Sequence, residues 1–153
     1  DGKRNIDEYN IFVKKANMIN LKKKIDRNFD AKKLDPIQMN LLRYGISTVR
    51  EVSLTNTHFS TPNKVRVPDL RDTYNSIIFE HDTFKIHGEL STPNEKTIRR
   101  NEDYKRSGIP FVIIHEDLAR MLKLNESDLA VYLYYHKLME IEKFNNLYHE
   151  DKM

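Results

Sequence analysis

The chain has no cysteine and no tryptophan, and only four glycines and five prolines among its 153 residues. Without cysteine there is no disulfide, no thiolate nucleophile and no cysteine-based zinc site, and a reducing, intracellular compartment is the expectation. The glycines, Gly2, Gly45, Gly88 and Gly108, stand far apart, so none belongs to a phosphate-cradling or dinucleotide-binding run. No nucleophile elbow and no helical pair of metal-binding histidines is present. No apolar run approaches the roughly twenty residues that span a bilayer, which argues against an integral membrane protein. The opening residues, Asp1-Gly2-Lys3-Arg4, lack an initiator methionine and a secretory pattern, and read as a processed chain, as after removal of an organelle-targeting peptide. Together these absences lead to the expectation of a protein that is not an enzyme and carries no cofactor and no metal.

What is present is polar for a globular protein, 39% hydrophobic and 32% charged, yet short of the composition of a disordered chain. The length suits one domain that buries its own core. The expected fold class is mainly α: a small irregular helical domain with one or two short strands and a C-terminal helical hairpin. The expected organisation is a basic helical arm over 1–34, a single compact mostly helical domain over 35–147, and a frayed tail over 148–153.

Charge is unevenly placed. The formal net charge is +3, and residues 1–34 hold ten Lys or Arg against five Asp or Glu, so the arm is the cationic part and suits an anionic partner. The spacing predicts a long helix over 6–29, uninterrupted by Pro or Gly. Ile11, Met18, Leu21, Ile25 and Phe29 share a sector with Lys14, Lys15 and Lys22, so an apolar stripe is mixed with ammonium groups whose stems can lie on a partner's surface. Asp35-Pro36-Ile37-Gln38 then predicts a second helix start, with Leu41, Leu42, Ile46 and Val49 facing the core.

Residues 53–68 predict an extended connection with short strands near Val65 and Val67, and Pro68-Asp69 a helical turn through Leu70 and Tyr74. Residues 81–90 alternate, predicting a strand with Phe84, Ile86 and Leu90 inward and His81, Thr83, Lys85, His87 and Glu89 outward. His81 and His87 near Glu80, Asp82 and Glu89 provide metal-ligating groups, but the spacing matches no defined zinc motif, so a solvated strand face is expected. Thr92-Pro93-Asn94-Glu95 repeats the capping pattern of Asp35-Pro36-Ile37-Gln38 and predicts a helix over 95–106, in which only Ile98 and Tyr104 are expected to be buried and Lys96, Arg99, Arg100, Lys105 and Arg106 form a basic face.

The densest apolar patterning lies in Ile109–Phe144. Leu118, Ala119, Leu122 and Leu124 predict a helix over 115–124, and Asn125 or Ser127 caps a second that begins near Asp128. The second is apolar nearly all round through Leu129, Ala130, Val131, Tyr132, Leu133, Tyr134 and Tyr135, the pattern of a segment covered on more than one side. The run DLARMLKLNESDLAVYLYY resembles a helix-turn-helix unit, with Ala119 at the small-residue position and Leu118, Leu122, Leu124, Leu129 and Tyr132 at core positions. That resemblance implies a second helix lying in a major groove. Lys123 stands where such turns favour glycine, and Ala130, Val131 and Tyr134 lack groups that bond base edges.

The leading functional expectation is therefore a non-enzymatic accessory or scaffold subunit. It would dock on a larger protein or ribonucleoprotein assembly through Lys14, Lys15 and Lys22 of the arm and Tyr132, Tyr134, Tyr135 and Leu138 of the last helix. The alternative is a helix-turn-helix-like nucleic-acid-binding module with Lys22, Lys23, Lys24, Arg99, Arg100, Lys105 and Arg106 on phosphates.

Overall fold

A computed structural model describes residues 28–152, with side chains from 34 to 147. The sequence-predicted contact residues Lys14, Lys15, Lys22, Lys23 and Lys24 lie outside the described residues. In chain order the elements are α1 (Asn28–Arg43), β1 (Thr48–Arg50), β2 (Leu54–Thr55), β3 (Val65–Arg66), β4 (Leu70–Asp72), β5 (Ile78–Asp82), α2 (Phe84–His87), α3 (Glu95–Arg106), β6 (Phe111–His115), α4 (Glu116–Leu122) and α5 (Glu126–Lys152).

The fold is mixed α/β, which corrects the expectation of a mainly α domain with one or two strands. A four-stranded sheet runs in the order β1-β4-β5-β6, and β2 pairs with β3 in a separate hairpin. β1 pairs with β4 and β4 with β5 antiparallel, whereas β5 and β6 are parallel, in register from Ile78 opposite Phe111 to Asp82 opposite His115. A parallel pair needs a crossover, and α2 and α3 supply it. The parallel pair was hidden in the sequence because Ile77-Ile78-Phe79 and Phe111-Val112-Ile113-Ile114 are continuous apolar runs without polar alternation. The strand expected over 81–90 ends at Asp82. The chain then turns through α2, and Phe84 and Ile86, expected inside, are exposed. Pro68-Asp69 leads into β4, not into a helical turn.

The main core lies on one face of the sheet. Leu34, Ile37 and Leu41 of α1 and Leu129, Ala130 and Tyr134 of α5 pack on Leu70, Ile77, Phe79, Val112 and Ile114. Each such buried aliphatic side chain contributes about 1.5–3 kcal/mol relative to exposure. On the other face a smaller cluster joins Tyr104 of α3 to Ile78 and to Phe59 of the β2–β3 region. Phe79 and Tyr134 stack with ring centroids 5.9 Å apart, and the Tyr134 hydroxyl donates to Asp72 Oδ2 at 2.8 Å.

Two helices end in the same motif. After α1, Gly45 (φ 80°) donates to the Leu42 carbonyl and Ile46 to Leu41. After α3, Gly108 (φ 68°) donates to Lys105 and Ile109 to Tyr104. Both are Schellman endings with glycine in the left-handed position. α4 ends the same way, Lys123 donating to Arg120 and Leu124 to Ala119, but with Lys123 at φ 55° in place of glycine. Asn125 caps α5 by accepting from the Asp128 N–H at 2.7 Å. Asn94, inside the predicted Thr92-Pro93-Asn94-Glu95 start, caps α3 by accepting from the Thr97 N–H at 2.9 Å, and of the two candidates for α5, Asn125 and Ser127, it is Asn125 that caps. α1 instead runs through the expected start at Pro36, which lies inside the helix.

Candidate functional site

Polar side chains gather where β5 leaves the sheet. Along β5, Ile78, Glu80 and Asp82 point to the α3 face, and Phe79 and His81 to the α1–α5 face; all five residues are buried. Asp69, at the entry to β4, sits beside them: its carboxylate accepts the His81 N–H at 2.7 Å, and its own N–H donates to Glu80 Oε1 at 3.2 Å. α3 delivers the counter-groups, because Arg100 and Tyr104 are one helical turn apart and so share its inward face. Arg100 grips Asp82 with both terminal nitrogens, at 2.9 and 2.6 Å, and its Nε lies 3.4 Å from Glu80 Oε2. The Tyr104 hydroxyl donates to the same Glu80 oxygen at 2.9 Å.

Histidines frame the cluster. His87 Nδ1 is 2.9 Å from the Thr97 hydroxyl, and its Nε2 is 3.5 Å from Asp82 Oδ1. His81 reaches the other way and is bonded to Glu126 in the first turn of α5. His115 accepts the Asp117 N–H at Nδ1, which leaves Nε2 as the donor to the Gly88 carbonyl at 2.9 Å. That pattern fixes a neutral imidazole of one tautomer.

The electrostatics single out two carboxyls. Burial, followed by the neighbouring Asp69 charge, pushes Glu80 up to about 8, against the opposing pull of Arg100. Asp69 is also raised, chiefly by burial, despite the N–H of His81. Asp82, in contrast, has a full guanidinium partner. His87 is lowered by burial, which outweighs the attraction of Asp82. A cleft of about 250 Å³ opens onto these groups, lined by Leu34, Val67, Asp69, Glu80, His81, Thr83, Ile86, His87 and Arg100. It lies at the carboxyl end of β5, the position where open α/β sheets present ligand sites. Among the described residues, no three His, Asp or Glu side chains form a set that could by itself hold a metal ion.

The residues expected from sequence to make contacts are dispersed. Arg100 is buried against Asp82, whereas Arg99, Lys105 and Arg106 are exposed; Arg106 pairs with Asp103, which also binds Arg66 and thereby pins the β2–β3 hairpin to α3. Ile98 is exposed, and the buried side of α3 is Thr97, Arg100, Asp103 and Tyr104. On α5, Tyr134 is enclosed by the chain's own core and Leu138 packs at its edge, while Tyr132 and Tyr135 are partly open and Tyr135 donates to the Tyr44 carbonyl. The helix-turn-helix-like spacing does produce α4 and α5, and Leu129, Ala130 and Tyr134 are turned toward the sheet. Past residue 138 the same helix carries exposed Met139, Phe144 and Leu147. Among the described residues, no helix is long and apolar enough to cross a membrane.

Sequence reasoning placed Glu80, Asp82, His81 and His87 near one another but missed Asp69, Arg100 and Tyr104 as their partners. The usable signal was local: three ionisable residues, Glu80-His81-Asp82, directly after an apolar run. No family model, no curated protein and no solved structure matches the chain.

Proposed function

We propose that the cleft is a divalent-cation-assisted site for hydrolysis of phosphodiesters, with Asp69 and Glu80 as the ion-binding carboxylates. The observation that carries the reading is the pair itself: two adjacent acids held at a cleft floor in surroundings that push Glu80 up to about 8. Glu80 shares the single Arg100 guanidinium with Asp82, and groups so perturbed in a cleft concentrate at functional sites. A hard cation relieves that repulsion by taking the place of the proton. Mg²⁺ in particular keeps several waters and takes one or two protein carboxylates, the substrate's phosphate completing its shell, so a floor with two carboxylates and no third protein ligand suits it. Bound there, the ion would polarise a phosphoryl oxygen and acidify a water. Hydrolysis would form a bond from the water oxygen to phosphorus and break the ester P–O bond, the departing oxygen taking up the proton that His87 removes from the water. His87, kept neutral by burial and oriented by Thr97, is placed to accept the proton of the attacking water.

The test is calorimetric titration of the full chain with Mg²⁺ and Mn²⁺, run beside incubation with labelled DNA and RNA. Asp69→Asn and Glu80→Gln are each expected to abolish both the ion-dependent heat and any cleavage while the fold survives by circular dichroism. A wild-type chain that takes up neither ion would sink the reading.

A second reading, the docking subunit expected from sequence, is favoured by a different observation: Met139, Phe144 and Leu147 stand exposed on the outer half of α5, continuous with the partly open Tyr132 and Tyr135. A larger protein or ribonucleoprotein assembly is the partner in that reading. Contact through this surface would tolerate salt and would be lost on Phe144→Ser with Leu147→Ser, leaving cation uptake intact.

A further inference from the structure

The domain covers only part of α5. Leu138 and Ile141 are the last of its described side chains to pack on the main core, and every residue from Glu142 to Leu147 is exposed. Met139, Glu142, Lys143, Asn146 and Leu147 stand at i, i+3, i+4, i+7 and i+8, and so share one face of the helix. A hollow of about 390 Å³ follows that face, lined among the described residues by those five side chains alone. A single helix gives such a hollow one wall and leaves the other to whatever lies alongside. Read along the helix, the strip is apolar, acid, base, apolar: Met139, 55% exposed, then Glu142 and Lys143, then Leu147, 53% exposed. Its two charges are unused. The ion pair on this half of the helix joins Lys137 to Glu140, among the described residues neither Glu142 nor Lys143 is ion-paired, and neighbours at i and i+1 point too far apart to pair with each other.

We propose that this face of α5 pairs with the same face of a second copy of the chain, the two helices antiparallel about a two-fold axis that crosses the strip at Glu142 and Lys143. A two-fold contact needs a patch that complements itself. Reversed end for end, this strip does so: each Glu142 comes beside the partner's Lys143, and each Met139 comes beside the partner's Leu147. Charge also selects the direction. Parallel copies would set acid on acid and base on base at the centre of the contact, which is destabilising. The second helix supplies the missing wall of the hollow and takes Met139 and Leu147 out of water. Phe144 lies about 140° round the helix from Met139, outside the strip, and stays open to the docking partner of the second reading. The pairing is independent of the cleft and of any ion in it.

The experiment is sedimentation equilibrium of the full chain over a wide range of concentration. The mass of the wild type is expected to rise from 18.3 kDa toward twice that value. Glu142→Lys and Lys143→Glu each set like charges against each other, and the two-fold axis repeats the change, so each variant alone is expected to dimerise about tenfold more weakly. Both positions are exposed, so the variants fold, as unchanged circular dichroism verifies. An equimolar mixture of the two variants sets two bases against two acids in the antiparallel arrangement and is expected to associate at least as tightly as the wild type. Met139→Ser combined with Leu147→Ser is expected to weaken association without changing that pairing preference. A wild type that keeps the monomer mass at every concentration would overturn the proposal, leaving the strip to a different protein or to another segment of this chain. So would a Glu142→Lys variant that dimerises like wild type, or a mixture that associates no better than its components.

Discussion

Glu80 is the residue through which burial, charge and pH meet. Its folded-state carboxyl titrates near 8, against an ordinary value of 4.5, so between those limits the native state holds a proton that the unfolded chain has released. Stability therefore falls as pH rises through that window, fully favourable below about 4.5 and lost above about 8. Thermal melts at a series of pH values should show the melting temperature declining from pH 5 to 8, and Glu80→Gln should flatten the slope. The same proton competes with a cation: below about pH 8, ion affinity is expected to rise up to tenfold per pH unit and then level off, with proton release visible by calorimetry in buffers of different ionisation heat. Little of this was legible in the chain. Glu80-His81-Asp82 looks like the polar start of a half-solvated strand, and only the arrival of α3 over that face turns it into an enclosed cluster. Arg100 was equally ambiguous, since a basic run such as Thr97–Arg106 gives no sign of which arginine turns inward until the helix is docked.

Among the elements, caps and helix ends were the most readable features, because they depend on a few adjacent residues. Asn94 lies within the Thr92-Pro93-Asn94-Glu95 start, Asn125 is one of the two residues expected to cap α5, and Gly108 ends α3. The strands were the least readable: β5 is buried at every position, and β6, although its burial alternates, is apolar from Phe111 to Ile114, so neither shows the polar alternation that marks a strand in sequence. Lys123 shows an ending made without its favoured residue. Its left-handed backbone opposes a side chain by about 1–2 kcal/mol, partly offset by the unfolded-state freedom that a glycine adds. Lys123→Gly should therefore stabilise the domain by about 0.5–1 kcal/mol, read as a higher urea midpoint with an unchanged slope. A fall in the midpoint would mean that the lysine side chain makes a contact outweighing its backbone strain.

At the scale of the whole described domain, the sheet separates two kinds of interior. One face is almost wholly apolar, with Leu129 and Ala130 fully buried against Phe79, Val112 and Ile114; the other combines a small aromatic cluster with the polar side chains of β5 and α3. Stability resides mainly in the first and function is proposed for the second. Leu129→Ala, which opens a cavity in the larger core, is expected to cost about 2–5 kcal/mol, with fluorescence and circular dichroism midpoints shifting together, yet to leave ion affinity unchanged at temperatures where the variant is folded. The sequence made the Leu129 side legible, since its apolar spacing is helical, whereas the division between faces depends on strand pairings separated by more than thirty residues, such as Ile78 with Phe111.

α5 is 27 residues long, about 40 Å at 1.5 Å per residue. Its root is bonded to His81, on the strand that floors the cleft, and its far turns rise clear of the sheet with greasy side chains outward. The helix thus joins two surroundings in one element: its first turn is tied through Glu126 to the strand behind the cleft, while its outer half offers Met139, Phe144 and Leu147 to solvent.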